Sequence, residues 1–147
     1  MKLPFQVDLT GKVAVVTGGG GVLCSEMARA LAACGAKVAI LNRTLEKGQR
    51  VAEMIGENAK ALSANVLDIQ SLEAARDQIH RAWGPVCILV NGAGCYNPKA
   101  TTDDEQYDTA AESVKDFFKL DPEGIRFVFD LNFLGTLLPT QVFAADM

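Results

Sequence analysis

The chain has 147 residues, of which 49% are hydrophobic and 22% are charged, and this is the composition of one globular domain and not of a disordered chain. Its formal net charge of −4 and the lack of a basic stripe argue against a nucleic-acid partner, and no apolar run approaches the ~20 residues that cross a bilayer. With one histidine, four cysteines outside any C-x-x-C spacing and no signal-peptide core at its start, the protein is expected to be cytoplasmic and to hold no metal.

The first two-thirds of the chain alternates between two kinds of segment. Four short apolar runs predict strands buried within a parallel sheet, at residues 12–17, 37–41, 59–64 and 86–90. Apolar residues at helical spacing predict three helices between them, over residues 23–33, 44–55 and 71–83. Thr44 and Ser71 are predicted N-caps, and Gly35 is a suitable left-handed stop for the first helix. The pattern predicts an α/β fold, a Rossmann-type doubly wound parallel sheet of about four strands.

A long loop and a final helix are predicted after the fourth strand. Residues 91–121 are either a solvated excursion or a functional segment. Asp121 is a suitable N-cap and Pro122 suits the first turn of the helix that follows. From Ile125 onward this helix is apolar almost all round, so it must be covered partly by the sheet and partly by another subunit. We therefore expect a homo-oligomer that associates through helix 122–147.

Four consecutive glycines, Gly18 to Gly21, lie between the first strand and the first helix. Glycines allow the backbone to approach a ligand closely, and the helix N-terminus offers free N–H groups to a phosphate. A tight turn without a ligand is the alternative, but four glycines cost much chain entropy for a turn alone. No Gly-Lys-Ser/Thr follows, which excludes a Walker-type loop.

Asn42 and Arg43 follow the second strand about twenty residues beyond the glycines, where dinucleotide folds contact the adenosine ribose. An acid there accepts a hydrogen bond from the 2′-hydroxyl, whereas an Arg accommodates a 2′-phosphate. Because the acid is absent, NADP is slightly favoured over NAD; an exposed turn without a ligand is the alternative. The missing acid also argues against a methyltransferase-like fold.

The other two strand ends carry asparagines, in Asn65-Val66 and in Asn91-Gly92-Ala93-Gly94. Each is a weak signal alone, since Asn-Gly is also an ordinary turn dipeptide. Open α/β sheets, however, bind ligands at the carboxyl ends of their strands. Together with the glycines, these segments predict one cofactor crevice across four strand ends.

Taken together, these motifs resemble those of the short-chain dehydrogenase/reductase family. Thr17-Gly18 begins its T-G-x-x-x-G-x-G fingerprint, residues 91–94 are similar to its N-x-A-G motif, and Asn132 resembles the Asn of its catalytic tetrad. The resemblance implies an NAD(P)-dependent oxidoreductase acting on a hydroxyl or carbonyl group, with Asn132 as a catalytic residue. It implies contacts to the pyrophosphate from Gly18, Gly20, Gly21, Val22 and Leu23, to the adenosine ribose from Asn42 and Arg43, to the adenine from Asn65 and Val66, and to the nicotinamide side from Asn91, Gly92, Ala93 and Gly94.

The sequence departs from the family fingerprint at several positions. Val22 and Cys24 stand in place of its second and third glycines. Because a β-branched Val tolerates positive φ poorly, we expect the phosphate loop to turn at Gly20 or Gly21. Cys24 is small enough to keep the first helix near the strand. The asparagines after the second and third strands stand where the family often has Asp.

Four segments are similar to the D-mannonate oxidoreductase (fructuronate reductase) group of the family, namely Thr17–Cys24, Tyr96–Thr102, Leu120–Gly124 and Asn132–Gln141. The interval from Asn91 to Asn132, 41 positions, is longer than is usual in the family. That group interconverts a keto sugar acid and its hydroxy acid, so the resemblance implies a sugar-acid substrate.

The family's Tyr-x-x-x-Lys does not occur in this sequence. Tyr96 has Lys99 three residues on, and Tyr107 has Ala111 four residues on. Hydride transfer needs a positioned acid–base group with a tuned pKa, so we expect the chain to be inactive alone. The alternative is a non-catalytic half-domain that binds a dinucleotide or only associates with itself.

Two features at the end of the sequence lead us to expect an unfinished fold. Asp146 would lie at the negative end of the last helix, where a carboxylate costs about 0.3–1 kcal/mol. The fourth strand would be an unprotected edge. Residues 1–147 are therefore expected to be the N-terminal part of a dinucleotide-binding Rossmann domain whose C-terminal catalytic part is absent.

Overall fold

The computed structural model describes residues 7–110 and 114–147. Residues 1–6, part of the segment considered as a signal peptide, and Ala111 lie outside the described residues. The strands are β1 (Val13–Thr17), β2 (Lys37–Asn42), β3 (Ala59–Ser63) and β4 (Ile88–Asn91). The helices are α1 (Val22–Ala33), α2 (Leu45–Ile55), α3 (Ile69–Trp83), α4 (Pro122–Phe129) and α5 (Gly135–Phe143).

The four strands form one parallel sheet in the order β3-β2-β1-β4. Thr17 at the end of β1 lies opposite Leu41 in β2 and Asn91 in β4, so the carboxyl ends of these strands are level. Such a sheet, built from strand–helix–strand crossovers, is the Rossmann-type arrangement predicted from the sequence. Among the described strands, β4 pairs only with β1, and its other edge is open.

Helices cover both faces of the sheet. Ala28 of α1 and Val51 of α2 pack with Val16 and Ile40 on one face. On the other face, α3 and α5 pack against alternate residues of the same strands, and Phe143 of α5 is fully buried there. Strands β1 and β2 are buried on both faces as predicted. For β3 and β4 the prediction of burial was wrong: they are the two edge strands of the sheet and are only partly covered.

The helix ends agree with the sequence in part. Gly35 has φ 95° and follows α1, as predicted for a left-handed stop. Thr44 occupies the N-cap position of α2, but its side chain makes no capping hydrogen bond. The prediction of Ser71 as the cap of α3 was wrong: the carboxylate of Asp68 accepts hydrogen bonds from the N–H groups of Gln70 and Ser71, and the helix begins two residues earlier than predicted.

The last helical segment starts where it was predicted, with Asp121 accepting a hydrogen bond from the Glu123 N–H. A π-helical stretch, Asp130–Leu134, joins α4 to α5. The second half of the segment docks on the sheet, where Val142 and Phe143 are buried. The exposed large apolar side chains of the segment lie mostly in its first half: Ile125, Phe127, Phe129, Phe133, Leu134 and Leu137.

The helical segment Pro122–Asp146 is also long and apolar enough to cross a membrane, by length and composition alone. It has 25 residues, a mean hydropathy of 1.3 and 22% burial over its most apolar window. The prediction that no segment reaches this length was therefore wrong. Asn132, Thr140 and Asp146, which lie along it, all make side-chain hydrogen bonds to the sheet, its loops or α3, and core helices pass the same test.

Candidate cofactor site

The loop after β1 is joined to the loop after β4 by a buried hydroxyl. Thr17 is fully buried, and its Oγ1 accepts hydrogen bonds from the N–H groups of Gly92, at 3.0 Å, and Ala93, at 3.2 Å. A buried N–H without a partner is costly, so this one side chain supports the backbone of the N-x-A-G segment. The two neighbouring strand ends thus form one unit at the carboxyl edge of the sheet.

The glycine loop turns at its first glycine. Gly18 has φ 65°, and a Cβ there would lie 2.8 Å from the carbonyl oxygen of Gly92. Gly21 has φ −82°, and Gly20 also lacks a positive φ. The prediction that the loop turns at Gly20 or Gly21 was therefore wrong, because the approach of the β4 loop demands the left-handed residue at Gly18.

The N-terminus of α1 opens onto this loop. The helix begins at Val22 with Gly21 as its N-cap, and in the described part of the chain no side chain caps it. Its first turn carries no acid, and the side chains of Val22 and Leu23 are 86% and 75% exposed. The first-turn N–H groups and the positive end of the helix dipole therefore face outward, which is the arrangement that binds a phosphate.

Asn42 reaches from the end of β2 to the glycine loop. Its Oδ1 accepts a hydrogen bond from the Gly20 N–H at 2.8 Å. Because the backbone donates, the amide oxygen is used for this bond and the Nδ2 donor is left for another partner. Arg43 beside it is exposed. A Cβ at Gly20 would lie 2.8 Å from Lys47, so glycine is also what allows α2 to pack this close.

Cys24 and Gly92 form a complementary pair, and the sequence, which predicted Gly92 as a site residue, did not predict its contact with Cys24. Cys24 is buried, and a Cβ on Gly92 would lie only 2.1 Å from its Sγ. The thiol therefore fills the space beside Gly92, and α1 stays close to the strand as expected for a small residue. Burial raises the pKa of the Cys24 thiol, which keeps it neutral.

The residues after β3 are engaged elsewhere. The Oδ1 of Asn65 accepts a hydrogen bond from the Leu67 N–H at 3.1 Å. Val66 is buried against Gly135 of α5, where a Cβ would lie 3.0 Å from its Cγ2. The structure places both residues at the same edge of the sheet, but these contacts occupy their side chains with other parts of the chain.

Asn132 joins the last helix to the loop after β4. Its Oδ1 accepts from the Cys95 N–H at 3.0 Å, and its Nδ2 donates to the Cys95 carbonyl at 2.9 Å. A Cβ on Gly94 would lie 2.7 Å from the same Oδ1, so this close approach also depends on a glycine. Asn91 donates to the Thr140 hydroxyl at 3.0 Å and ties the same helix to β4. Asn132 thus lies beside the candidate nicotinamide side.

The residues present fit a dinucleotide. The turn at Gly18 leaves no room for side chains between the first and fourth strand ends, and uncapped N–H groups face the open side. Hydrogen-bond donors at Asn42 and a cation at Arg43 follow along the edge. Within residues 7–110 and 114–147, no group of three or more His, Cys, Asp or Glu side chains is arranged so that it could hold a metal ion.

The sequence family described as short chain dehydrogenase matches residues 12–147. The chain belongs to this family. It is 47% identical, over 100% of its length, to an uncharacterised oxidoreductase of Haemophilus influenzae, and 50% identical, over 99%, to an uncharacterised oxidoreductase named UxuB of Bacillus subtilis. It covers 53% of each of these proteins, so the chain spans about half the length of the curated relatives it matches.

Two solved structures share the fold. One, from Haemophilus influenza, is provisionally named a D-mannonate oxidoreductase and has bound NAD; it is 48% identical with a TM-score of 0.92. The alignment covers 96% of this chain and 52% of that one. The other is a 3-ketoacyl-(acyl-carrier-protein) reductase from Brucella melitensis in complex with NADH. It is 28% identical, with a TM-score of 0.78, over 95% and 51% of the two chains.

Proposed function

We propose that these 147 residues form the dinucleotide-binding part of an NAD(P)-dependent oxidoreductase that acts on a hydroxyl or carbonyl group of a sugar acid. One observation carries the proposal: the left-handed turn at Gly18, the uncapped N-terminus of α1 and the end of β4 meet at the carboxyl edge of the sheet. A nicotinamide dinucleotide as cofactor is supported by the NAD and NADH held by the two structural relatives.

The roles of the chain's own residues follow from their positions. The free N–H groups at the start of α1, at Val22 and Leu23, bind the pyrophosphate beside the Gly18–Gly21 turn, and Asn42 with Arg43 contacts the adenosine ribose. Residues 65–66 contact the adenine through their main chain, and residues 91–94 line the nicotinamide side. The bound cofactor would donate or accept the hydride. Asn132 holds the loop at Cys95 in place beside the reacting centre.

The preference between the two cofactors rests on the end of β2. Asn42 uses its oxygen on Gly20, and this leaves an N–H donor and the exposed Arg43 to meet the 2′-substituent. Both groups favour an acceptor-rich 2′-phosphate over a hydroxyl, so we propose a modest preference for NADP. Isothermal titration of the chain with NADP and NAD tests this proposal, and tighter binding of NAD by the parent chain contradicts it.

The proposed substrate, a sugar acid of the mannonate or fructuronate type, rests on the relative that carries the D-mannonate name. The sequence holds no Tyr-x-x-x-Lys, so the 147-residue chain is proposed to bind a dinucleotide without turnover. The test follows the absorbance of the reduced nicotinamide at 340 nm, with D-mannonate and the oxidised cofactor or with D-fructuronate and the reduced cofactor. A steady change in absorbance that depends on the purified chain refutes the proposal. A cytoplasmic location remains part of the proposal, with four free thiols in support.

A self-associating half-domain is the second candidate, and a specific surface favours it. Phe129 and Phe133 are 67% and 63% exposed on the last helical segment, beside further exposed apolar side chains. A patch of this kind is typical of an interface, so we propose a homo-oligomer through helix 122–147. Sedimentation velocity should give an oligomer for the parent and a monomer for the double variant Phe129→Glu, Phe133→Glu. A monomeric parent chain contradicts this candidate.

A further inference from the structure

The only histidine of the sequence forms a three-way junction with the last helical turn. The Oδ2 of Asp146 lies 2.6 Å from Nε2 of His80 and accepts the Val86 N–H at 3.0 Å. These groups come from α3, from the residues leading into β4, and from the turn after α5. The Asp146 side chain is 15% exposed, so the junction is largely sheltered from water.

Three sets of polar contacts join the last helical segment to β4 and to the residues on either side of it, and the junction at Asp146 lies at the amino end of the strand. Thr140 accepts from Asn91 at the carboxyl end of the strand, and Asn132 holds both polar backbone groups of Cys95 beyond it. A helix rises 1.5 Å per residue, so Asp146 lies roughly 21 Å along the segment from Asn132. These contacts therefore fix the helix along the whole strand.

These contacts matter because β4 is weakly held otherwise. It pairs only with β1 among the described strands, and its residues Ile88–Val90 are only partly buried. The helix in turn exposes most of its apolar side chains in its first half. A rotation or slip of the helix along β4 would move Asn132 away from Cys95, and apolar packing alone is not directional enough to prevent it.

We propose that Asp146 is a positioning residue: by binding His80 and Val86 it fixes the register of the last helix on β4 and so holds Asn132 against the loop beside the nicotinamide side. The inference rests on the proposed function only in the role given to Asn132. The groups that act on the Asp146 carboxylate are the side chains of His80 and Arg76 on α3 and the Val86 N–H.

Hydrogen exchange of the isotope-labelled chain tests the proposal. The reporter is the Cys95 amide, which is bonded to Asn132 at the far end of the helix from Asp146. In Asp146→Ala its exchange should accelerate about ten-fold or more, which is the factor that one hydrogen bond to a charged group supplies. The Val38 amide, bonded to the Asn58 carbonyl in the sheet, should keep its rate within two-fold.

Conservative variants separate positioning from general destabilisation. Asp146→Asn keeps the shape and an acceptor but loses the charge, so it should accelerate Cys95 exchange by a smaller factor, about three-fold. His80→Gln keeps a donor and should retain protection of Cys95, whereas His80→Ala should lose it.

Two results would overturn the proposal: unchanged Cys95 exchange in both Asp146 variants, or equal acceleration at Cys95 and Val38. Titration of the parent chain with NAD and NADP accompanies the exchange experiment. Failure of the parent to bind either dinucleotide refutes the proposed function and leaves the exchange result to decide the positioning role by itself.

Discussion

Gly21→Asp should separate the stability of the fold from its capacity to bind a dinucleotide. Gly21 is exposed and has φ −82° and ψ 164°, the extended geometry that an N-cap residue needs. A Cβ there lies 3.2 Å from the Gly18 carbonyl oxygen, which must move by a few tenths of an ångström. An Asp side chain would accept the N–H of Leu23 or Cys24 and stabilise α1 by a few tenths of a kcal/mol.

In the same substitution, the Asp carboxylate occupies the free N–H groups and the positive helix end that are proposed to bind the pyrophosphate. One charge-assisted hydrogen bond is worth about 1.5–3 kcal/mol, or roughly 10- to 150-fold in Kd. A carboxylate about 4 Å from a phosphate adds repulsion of at most about 4 kcal/mol at an effective dielectric constant of 20. We therefore expect NAD and NADP binding to weaken at least a hundred-fold at low salt, while the thermal midpoint stays equal or rises.

Two controls accompany this variant. Gly21→Asn has the same shape without the charge and should weaken binding only about ten-fold, since it competes for one N–H and repels nothing. Gln78→Glu adds the same charge on the exposed surface of α3 and should leave binding unchanged. Isothermal titration gives the dissociation constants and circular dichroism the midpoints. Binding by Gly21→Asp within three-fold of the parent chain would refute the placement of the pyrophosphate.

Three further predictions concern stability. Gly92→Ala places a Cβ 2.1 Å from the Cys24 sulfur and 2.9 Å from the Thr17 carbonyl oxygen, and it should cost about 1–3 kcal/mol in urea unfolding. Adding Cys24→Ala removes only the first clash and should restore part of this loss; simple additivity of the two substitutions would contradict the contact. Thr17→Val leaves two N–H groups unpaired and should cost about 1–3 kcal/mol more than Thr17→Ser; equal stability of the two would contradict this. Burial raises the pKa of Asp146, but hydrogen bonds from Val86 and His80 and nearby positive charge outweigh it and leave that pKa below its usual value. The ionised Asp146 therefore stabilises the fold at pH values above the ordinary Asp pKa, and this stabilisation is lost as the pH falls through the lowered pKa. The urea midpoints of the parent chain and of Asp146→Asn should accordingly converge in acid. A constant difference between the two midpoints from pH 7 to pH 3 would contradict this.

Local patterns in the sequence were sufficient to predict the sheet. Residues 12–17 and 37–41 are continuous apolar runs because β1 and β2 are covered by helices on both faces. Because the sheet is parallel, the segments that follow each strand had to meet at one edge, and the candidate crevice follows from that geometry. Gly35 was predictable because a left-handed helix stop is a local property of the chain.

Contacts between distant residues could not be predicted from these patterns. The turn falls at Gly18 because the backbone of Gly92 approaches it, and these residues are far apart in sequence. The same holds for the fit of Cys24 to Gly92, 68 positions apart. The sequence predicted that the Asp146 carboxylate destabilises the last helix at its negative end, but in the structure this carboxylate binds His80, 66 positions earlier.

The most direct test of the account is a map of the amides that respond to a dinucleotide. We predict that titration of the ¹⁵N-labelled chain with NAD or NADP shifts the amides from Gly18 to Cys24 and from Gly92 to Gly94 together, with one saturation curve. Shifts confined to α3 or to the exposed surface of the last helix, or no saturable shift at the glycine turn, would contradict a cofactor lying across the carboxyl ends of the strands.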